Sequence, residues 1–139
     1  MAFVVDASVV LAWLLPDEGS ALAERMLARL NSETAQAPAL LHYEVGNALL
    51  QAGRRRRFPA DALAEMRAAF FALPIALDGV DQRAVERAIE LALRHSLSLY
   101  DACYLELALR RGLGLATLDD ALRGAAEAQG VRLIAAEQD

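Results

Sequence analysis

Four carboxylates lie in apolar stretches of the sequence, and together they could bind a divalent metal ion. They are Asp6, Glu44, Asp101 and Asp119. Asp6 and Asp119 each follow an apolar run typical of a buried strand, whereas Glu44 and Asp101 share a predicted helical face with apolar residues. An isolated buried carboxylate is costly, so each of the four needs a cation, a hydrogen-bond partner or a proton.

As a set, the four acids indicate a divalent-metal centre. Clustered carboxylates repel one another and raise one another's pKa unless a cation neutralises them. Ligands that are all oxygen suit Mg²⁺ or Mn²⁺. The sequence lacks the His and Cys spacing of a zinc site.

Each acid also has a structural interpretation. Asp6 could be a turn residue, and Glu44 could lie at the rim of the core. Ser98 and Asp101 fit a capping box, and Asp119 fits a helix N-cap. A cap and a ligand role are compatible, because a capped helix end also fixes a ligand.

The elements that would position these side chains alternate between strand and helix. Strands are predicted at 3–5, 34–37, 74–78, 113–117 and 131–135. Helices are predicted at 9–15, 21–30, 39–53, 59–73, 81–95, 98–112 and 119–129, with Ser8 and Ser20 as caps of the first two. The pattern predicts one α/β domain over residues 1–139, with a parallel sheet whose strand ends carry Asp6 and Asp119.

Composition narrows the class of protein. The chain is 56% hydrophobic, and no apolar run is long enough to cross a membrane. A single cysteine and the absence of a secretory pattern favour the cytoplasm. The formal charge is −5 and the chain contains no lysine, so its 14 basic residues are all Arg.

The one strong basic run is Arg54-Arg55-Arg56-Arg57. It could contact RNA phosphates, form a solvated helix terminus that favours cations, or dock an acidic segment of a partner.

The chain resembles the PIN-domain ribonucleases, and closely the VapC-type toxins of bacterial toxin–antitoxin modules. The matching segments are residues 4–8, 44–49, 97–102 and 117–119. The resemblance implies a three-layer fold with a five-stranded parallel sheet in the order 3-2-1-4-5 and about seven helices. It also implies a Mg²⁺- or Mn²⁺-dependent endoribonuclease that acts as a toxin, is usually a homodimer and is inhibited by a cognate VapB-like antitoxin.

Carried over residue by residue, the resemblance makes the four acids both the catalytic and the metal-binding set. Ser8, Asn47 and Thr117 would be their polar supports. Asp6 and Asp101 are predicted direct ligands, while Glu44 and Asp119 would bind the metal directly, bind it through water or orient the nucleophile. Asp120 competes with its neighbour Asp119, which the Thr-x-Asp spacing favours. Because water is the nucleophile in this mechanism, the products would carry 5′-phosphate and 3′-hydroxyl ends.

Rival classes share part of this pattern. A phospho-receiver domain needs a lysine near its last strand, and a haloacid-dehalogenase-like phosphatase needs a lysine and an Asp-x-Asp motif, where this chain has Ser8. Two alternatives stay open, namely a PIN-fold nuclease that processes RNA without being a toxin, and a non-catalytic interaction module.

Overall fold

A computed structural model describes residues 1–134 of the chain, which folds as an α/β protein around one parallel sheet. The sheet has the order β3-β2-β1-β4. Its strands are β1 (Ala2–Val5), β2 (Thr34–Pro38), β3 (Ile75–Asp78) and β4 (Gly114–Ala116). All three strand pairings are parallel, as predicted.

Seven α-helices surround the sheet in the described residues. They are α1 (Ala7–Leu14), α2 (Ala21–Arg29), α3 (Leu40–Arg54), α4 (Ala62–Ala72), α5 (Gln82–His95), α6 (Leu99–Arg111) and α7 (Asp120–Ala128). A short 3₁₀ helix, Pro16–Glu18, follows α1. Helix α6 packs against α5, α7 and the strands β1, β2 and β4. Helix α1 packs against α2, α3, α4 and the 3₁₀ helix. None of these helices is long and apolar enough to cross a membrane.

The central strand β1 explains the apolar run at the start of the chain. Phe3, Val4 and Val5 are each 0% exposed, so both faces of the strand are covered. A strand buried on both sides needs consecutive apolar residues rather than alternation. Asp6 comes next, at the carboxyl end of the strand, where ligands of open parallel sheets bind.

The predicted fifth strand, 131–135, is wrong over the residues that the structure describes. Leu133 makes one isolated parallel bridge to Leu115. Two backbone hydrogen bonds accompany it, from Leu115 N–H to Arg132 O at 2.9 Å and from Ile134 N–H to Leu115 O at 2.9 Å. Strand β4 is three residues long, and on this edge only Leu115 has a partner among the described residues. The bridge lies on the side predicted for the fifth strand, and position 135 is outside the described residues.

Two predicted helix starts also need correction. Helix α1 is capped by Asp6, which accepts from Val9 N–H, and not by Ser8. Helix α4 begins at Ala62 and not at Pro59. The predicted N-caps Ser20, Ser98 and Asp119 are confirmed.

Candidate active site

Asp6 is a buried carboxylate held by three hydrogen-bond donors. It is 3% exposed. The Ser8 hydroxyl donates to Oδ1 at 2.6 Å, Val9 N–H donates to the same atom at 3.2 Å, and the Thr117 hydroxyl donates to Oδ2. Burial raises the pKa of Asp6 to about 6 despite these donors, and the charge of Asp101 adds to the rise.

Ser8 and Thr117 join the end of β1 to the loop after β4. The Ser8 hydroxyl accepts from Leu118 N–H at 2.9 Å, and the Thr117 hydroxyl accepts from Asp119 N–H at 3.0 Å. Both hydroxyls therefore donate to Asp6 while they accept from the backbone beside Asp119. This network connects two of the four predicted site acids.

Asn47, the third predicted support, lies exposed on α3. It is three residues, about one turn, after Glu44. Its side chain makes no hydrogen bond to any other residue of the described chain, so its supporting role stays a prediction.

Glu44 is half-buried near the start of α3. Its Oε1 atom accepts a hydrogen bond of 2.6 Å from the Tyr104 hydroxyl. Burial raises the pKa of Glu44, and the charges of Asp101 and Asp6 raise it further, against the opposing effect of the Tyr104 hydrogen bond. Tyr104 was not predicted from the sequence, although its place one turn after Asp101 could have drawn attention to it.

Asp101 lies in the first turn of α6, where the Ser98 hydroxyl accepts from Asp101 N–H at 3.0 Å. Burial raises the pKa of Asp101, and the charge of Asp119 adds to the rise, against the opposing effect of a hydrogen bond between the carboxylate and the Ser98 side chain.

Asp119 is the N-cap of α7, and its Oδ2 atom accepts from Leu122 N–H at 2.8 Å. Asp120 is exposed in the first turn of the same helix. Because the charge of Asp119 acts on Asp101, the structure favours Asp119 over Asp120 as the fourth acid of the cluster.

The four predicted acids therefore form one electrostatic cluster, which also contains Tyr104. Asp101 acts on Asp6 and Glu44, Asp6 acts on Glu44, and Asp119 acts on Asp101. The charges that shift these pKa values in the described chain are all negative. A cation would relieve this repulsion, and the oxygen-only donor set suits a hard divalent one.

The side chains are not arranged as a closed coordination shell. Within residues 1–134, no group of three or more His, Cys, Asp or Glu side chains could hold a metal ion as it stands. Asp6 faces its three donors, Glu44 faces Tyr104, and Asp119 faces the start of α7. The donor chemistry fits a divalent cation, and the geometry requires some of these carboxylates to turn toward it.

The four arginines of the basic run, 54–57, differ in their contacts. Arg57 donates from Nη2 to Asp17 at 2.8 Å and to Glu18 at 2.8 Å, and so ties the end of α3 to the 3₁₀ helix. Arg54, Arg55 and Arg56 are exposed. At 1.5 Å per residue, the run begins about 15 Å from Glu44 along α3. Contact with RNA or a partner stays a prediction for these three, and Arg57 is engaged within the chain.

Comparison with known proteins identifies the class. The family model of the PIN domain matches residues 3–128. The chain therefore belongs to the PIN-domain family.

Its relatives within that family include two proteins named as VapC ribonucleases. Ribonuclease VapC3 of Pyrobaculum aerophilum is 35% identical over 120 residues, covering 86% of this chain and 90% of the relative. Ribonuclease VapC1 of Mycobacterium tuberculosis is 38% identical over 126 residues, covering 88% of this chain and 89% of the relative. These proteins are similar to the chain over nearly their whole length.

Solved structures agree on the fold. The crystal structure of PAE2754 from Pyrobaculum aerophilum superposes with a TM-score of 0.63 at 25% identity, covering 90% of this chain and 87% of that one. FitAcB from Neisseria gonorrhoeae has a TM-score of 0.58 at 21% identity, covering 97% of each chain, and it supports the fold alone.

Proposed function

We propose that this protein is a divalent-metal-dependent endoribonuclease that acts as the toxin of a VapC-type toxin–antitoxin pair. One observation carries the proposal. Asp6 is buried at the end of the central strand, and burial together with negatively charged neighbours raises the pKa values of Asp6, Glu44 and Asp101. The names of the two sequence relatives, both ribonucleases, support the same reaction class.

In this proposal Asp6 and Asp101 hold the cation directly, and Glu44 and Asp119 complete the site. A bound Mg²⁺ or Mn²⁺ would act as a Lewis acid toward the scissile phosphate and make water a better nucleophile. Ser8 and Thr117 fix the orientation of Asp6 through their hydroxyls. The hydrogen bonds to Glu44 Oε1 and Asp119 Oδ2 leave Oε2 and Oδ1 for a cation or for the attacking water.

The proposed partners are RNA as substrate, a second copy of the chain and a VapB-like antitoxin. A structural neighbour from Klebsiella pneumoniae is titled a toxin–antitoxin complex and shares the fold at 18% identity. We propose a cytoplasmic protein whose residues 1–139 form one PIN domain.

Cleavage of a mixed RNA pool by the purified chain tests the reaction. We expect endonucleolytic cleavage with Mg²⁺ or Mn²⁺, none with EDTA, and none with Asp6→Asn. Asp61→Asn is the matched control, because Asp61 is exposed and makes no side-chain cap. Equal cleavage by Asp6→Asn and the wild-type chain contradicts the assignment.

Growth after induction in a bacterial host separates the toxin from its alternatives. A toxin arrests growth in the wild-type form and not as Asp6→Asn. RNA cleavage without growth arrest identifies a non-toxin RNA-processing nuclease. Absence of both cleavage and Mn²⁺ binding by calorimetry identifies a non-catalytic interaction module.

A further inference from the structure

Tyr104 is a buried aromatic residue whose only side-chain polar atom contacts a site acid. It is 1% exposed in the middle of α6. Its hydroxyl donates to Glu44 Oε1 at 2.6 Å, across 60 positions of sequence. A hydrogen bond to an ionised acceptor is stronger than one between neutral groups.

The contact joins the two helices that carry half of the acid cluster. Glu44 belongs to α3, and Asp101 lies one turn before Tyr104 on α6. The negative charges of Asp101 and Asp6 repel the Glu44 carboxylate. A long Glu side chain under repulsion has several rotamers available, and fixing one of them costs side-chain entropy.

We propose that Tyr104 is a positioning residue of the proposed nuclease site, whose hydroxyl holds Glu44 Oε1 so that Oε2 faces the cation and the attacking water. The inference rests on the proposed function, because it assigns Glu44 to the metal centre. Tyr104 is buried, so it touches neither RNA nor solvent. It acts only through Glu44.

The direction of the hydrogen bond is fixed by its two groups, because the phenol donates and the carboxylate only accepts.

Tyr104→Phe tests the proposal, because it keeps the ring in the core and removes only the hydroxyl. We expect Mn²⁺ affinity, measured by calorimetry, to fall about tenfold. This is the low end of the effect expected when a hydrogen bond to a charged group is lost. The kcat for RNA cleavage should fall by a similar factor while KM for RNA is unchanged. Tyr43→Phe is the matched control, since Tyr43 precedes Glu44 on α3 but is 83% exposed.

A double-mutant cycle distinguishes positioning from a general loss of packing. Tyr104→Phe is compared in the wild-type and Glu44→Ala backgrounds, at a temperature at which all four proteins are folded by circular dichroism. If Tyr104 acts through Glu44, the second mutation has no further effect on Mn²⁺ affinity in the Glu44→Ala background.

Two results overturn the inference while the proposed function stands. One is wild-type Mn²⁺ affinity and kcat in Tyr104→Phe, and the other is an equal loss in both backgrounds. A wild-type chain that neither binds Mn²⁺ nor cleaves RNA overturns the proposed function together with the inference.

Discussion

Asp6→Asn is expected to stabilise the metal-free protein while it abolishes RNA cleavage. In the folded state the pKa of Asp6 is raised from 3.8 to about 6, chiefly by burial. The folded chain thus holds this proton more tightly than the unfolded chain, and a rise of this size corresponds to about 3 kcal/mol.

The sign of the pH dependence follows from the raised pKa. Below about pH 4 the carboxyl is protonated in both states, and Asp6 does not weaken the fold. Between about pH 4 and pH 6 the unfolded chain loses the proton first, so the free energy of unfolding falls as pH rises. Above pH 6 the full cost of about 3 kcal/mol is present.

Asparagine has the same shape as aspartate and no charge, so Asp6→Asn removes the contribution of this residue to the pH dependence of stability. It has one acceptor oxygen for the three donors Ser8, Val9 and Thr117, and we take the lost hydrogen bonding as about 1 kcal/mol. We therefore expect Asp6→Asn to be about 1–2 kcal/mol more stable than wild type at pH 8. At pH 4 it should be equally stable or slightly less stable.

Urea unfolding in EDTA at pH 4, 6 and 8 measures this difference, and Asp61→Asn serves as the control. Subtracting the wild-type curve isolates Asp6 from Glu44 and Asp101, whose pKa values are also raised. A variant that is less stable than wild type at pH 8, or a difference independent of pH, refutes the reasoning.

Two further predictions concern positions outside the acid cluster. Arg56 and Ser96 both have left-handed backbones, with φ of 57° and 55°. Replacing either with Gly should raise the free energy of unfolding by up to about 1 kcal/mol. In RNA binding, only Arg56→Gly should lower the log–log salt slope, by roughly 0.7 for one phosphate contact, and an unchanged slope excludes that contact. Glu106, whose side chain is 4% exposed, pairs with Arg87 and Arg110 at 3.1 and 3.0 Å. Glu106→Gln should therefore lower stability by about 2 kcal/mol in urea unfolding. It should leave Mn²⁺ affinity unchanged, because Glu106 is not among the groups that shift the pKa values of Asp6, Glu44 and Asp101. A tenfold loss of affinity would contradict this prediction.

The sequence predicts the framework well because burial leaves a strong pattern. Consecutive apolar residues at Phe3–Val5 indicated a strand covered on both faces, and the structure confirms it. The strand order around β1 follows the order implied by the family resemblance, up to the fourth strand. The predicted fifth strand is wrong, because an apolar run of suitable composition does not specify for how many residues its backbone stays paired with β4.

The candidate site was also predicted only in part. The four acids were found because carboxylates in apolar sequence are conspicuous, and the structure places them in one electrostatic cluster. Their hydrogen-bond partners were harder to predict. From the sequence alone, Tyr104 is indistinguishable from an ordinary aromatic residue of the core, and Arg57 is indistinguishable from the other arginines of the basic run. Which donor meets which acceptor depends on packing between elements that are 40 to 111 positions apart, and local sequence does not encode it.

Sequencing of RNA ends after induction in cells tests the central claim most directly. Wild-type protein and the Asp6→Asn variant are induced to equal levels, and new 5′ ends are mapped with their chemistry. The proposed reaction predicts new 5′-phosphate ends with wild type and none with Asp6→Asn. The same ends in both samples, or 5′-hydroxyl ends with wild type, would contradict hydrolysis by water at a metal site that contains Asp6.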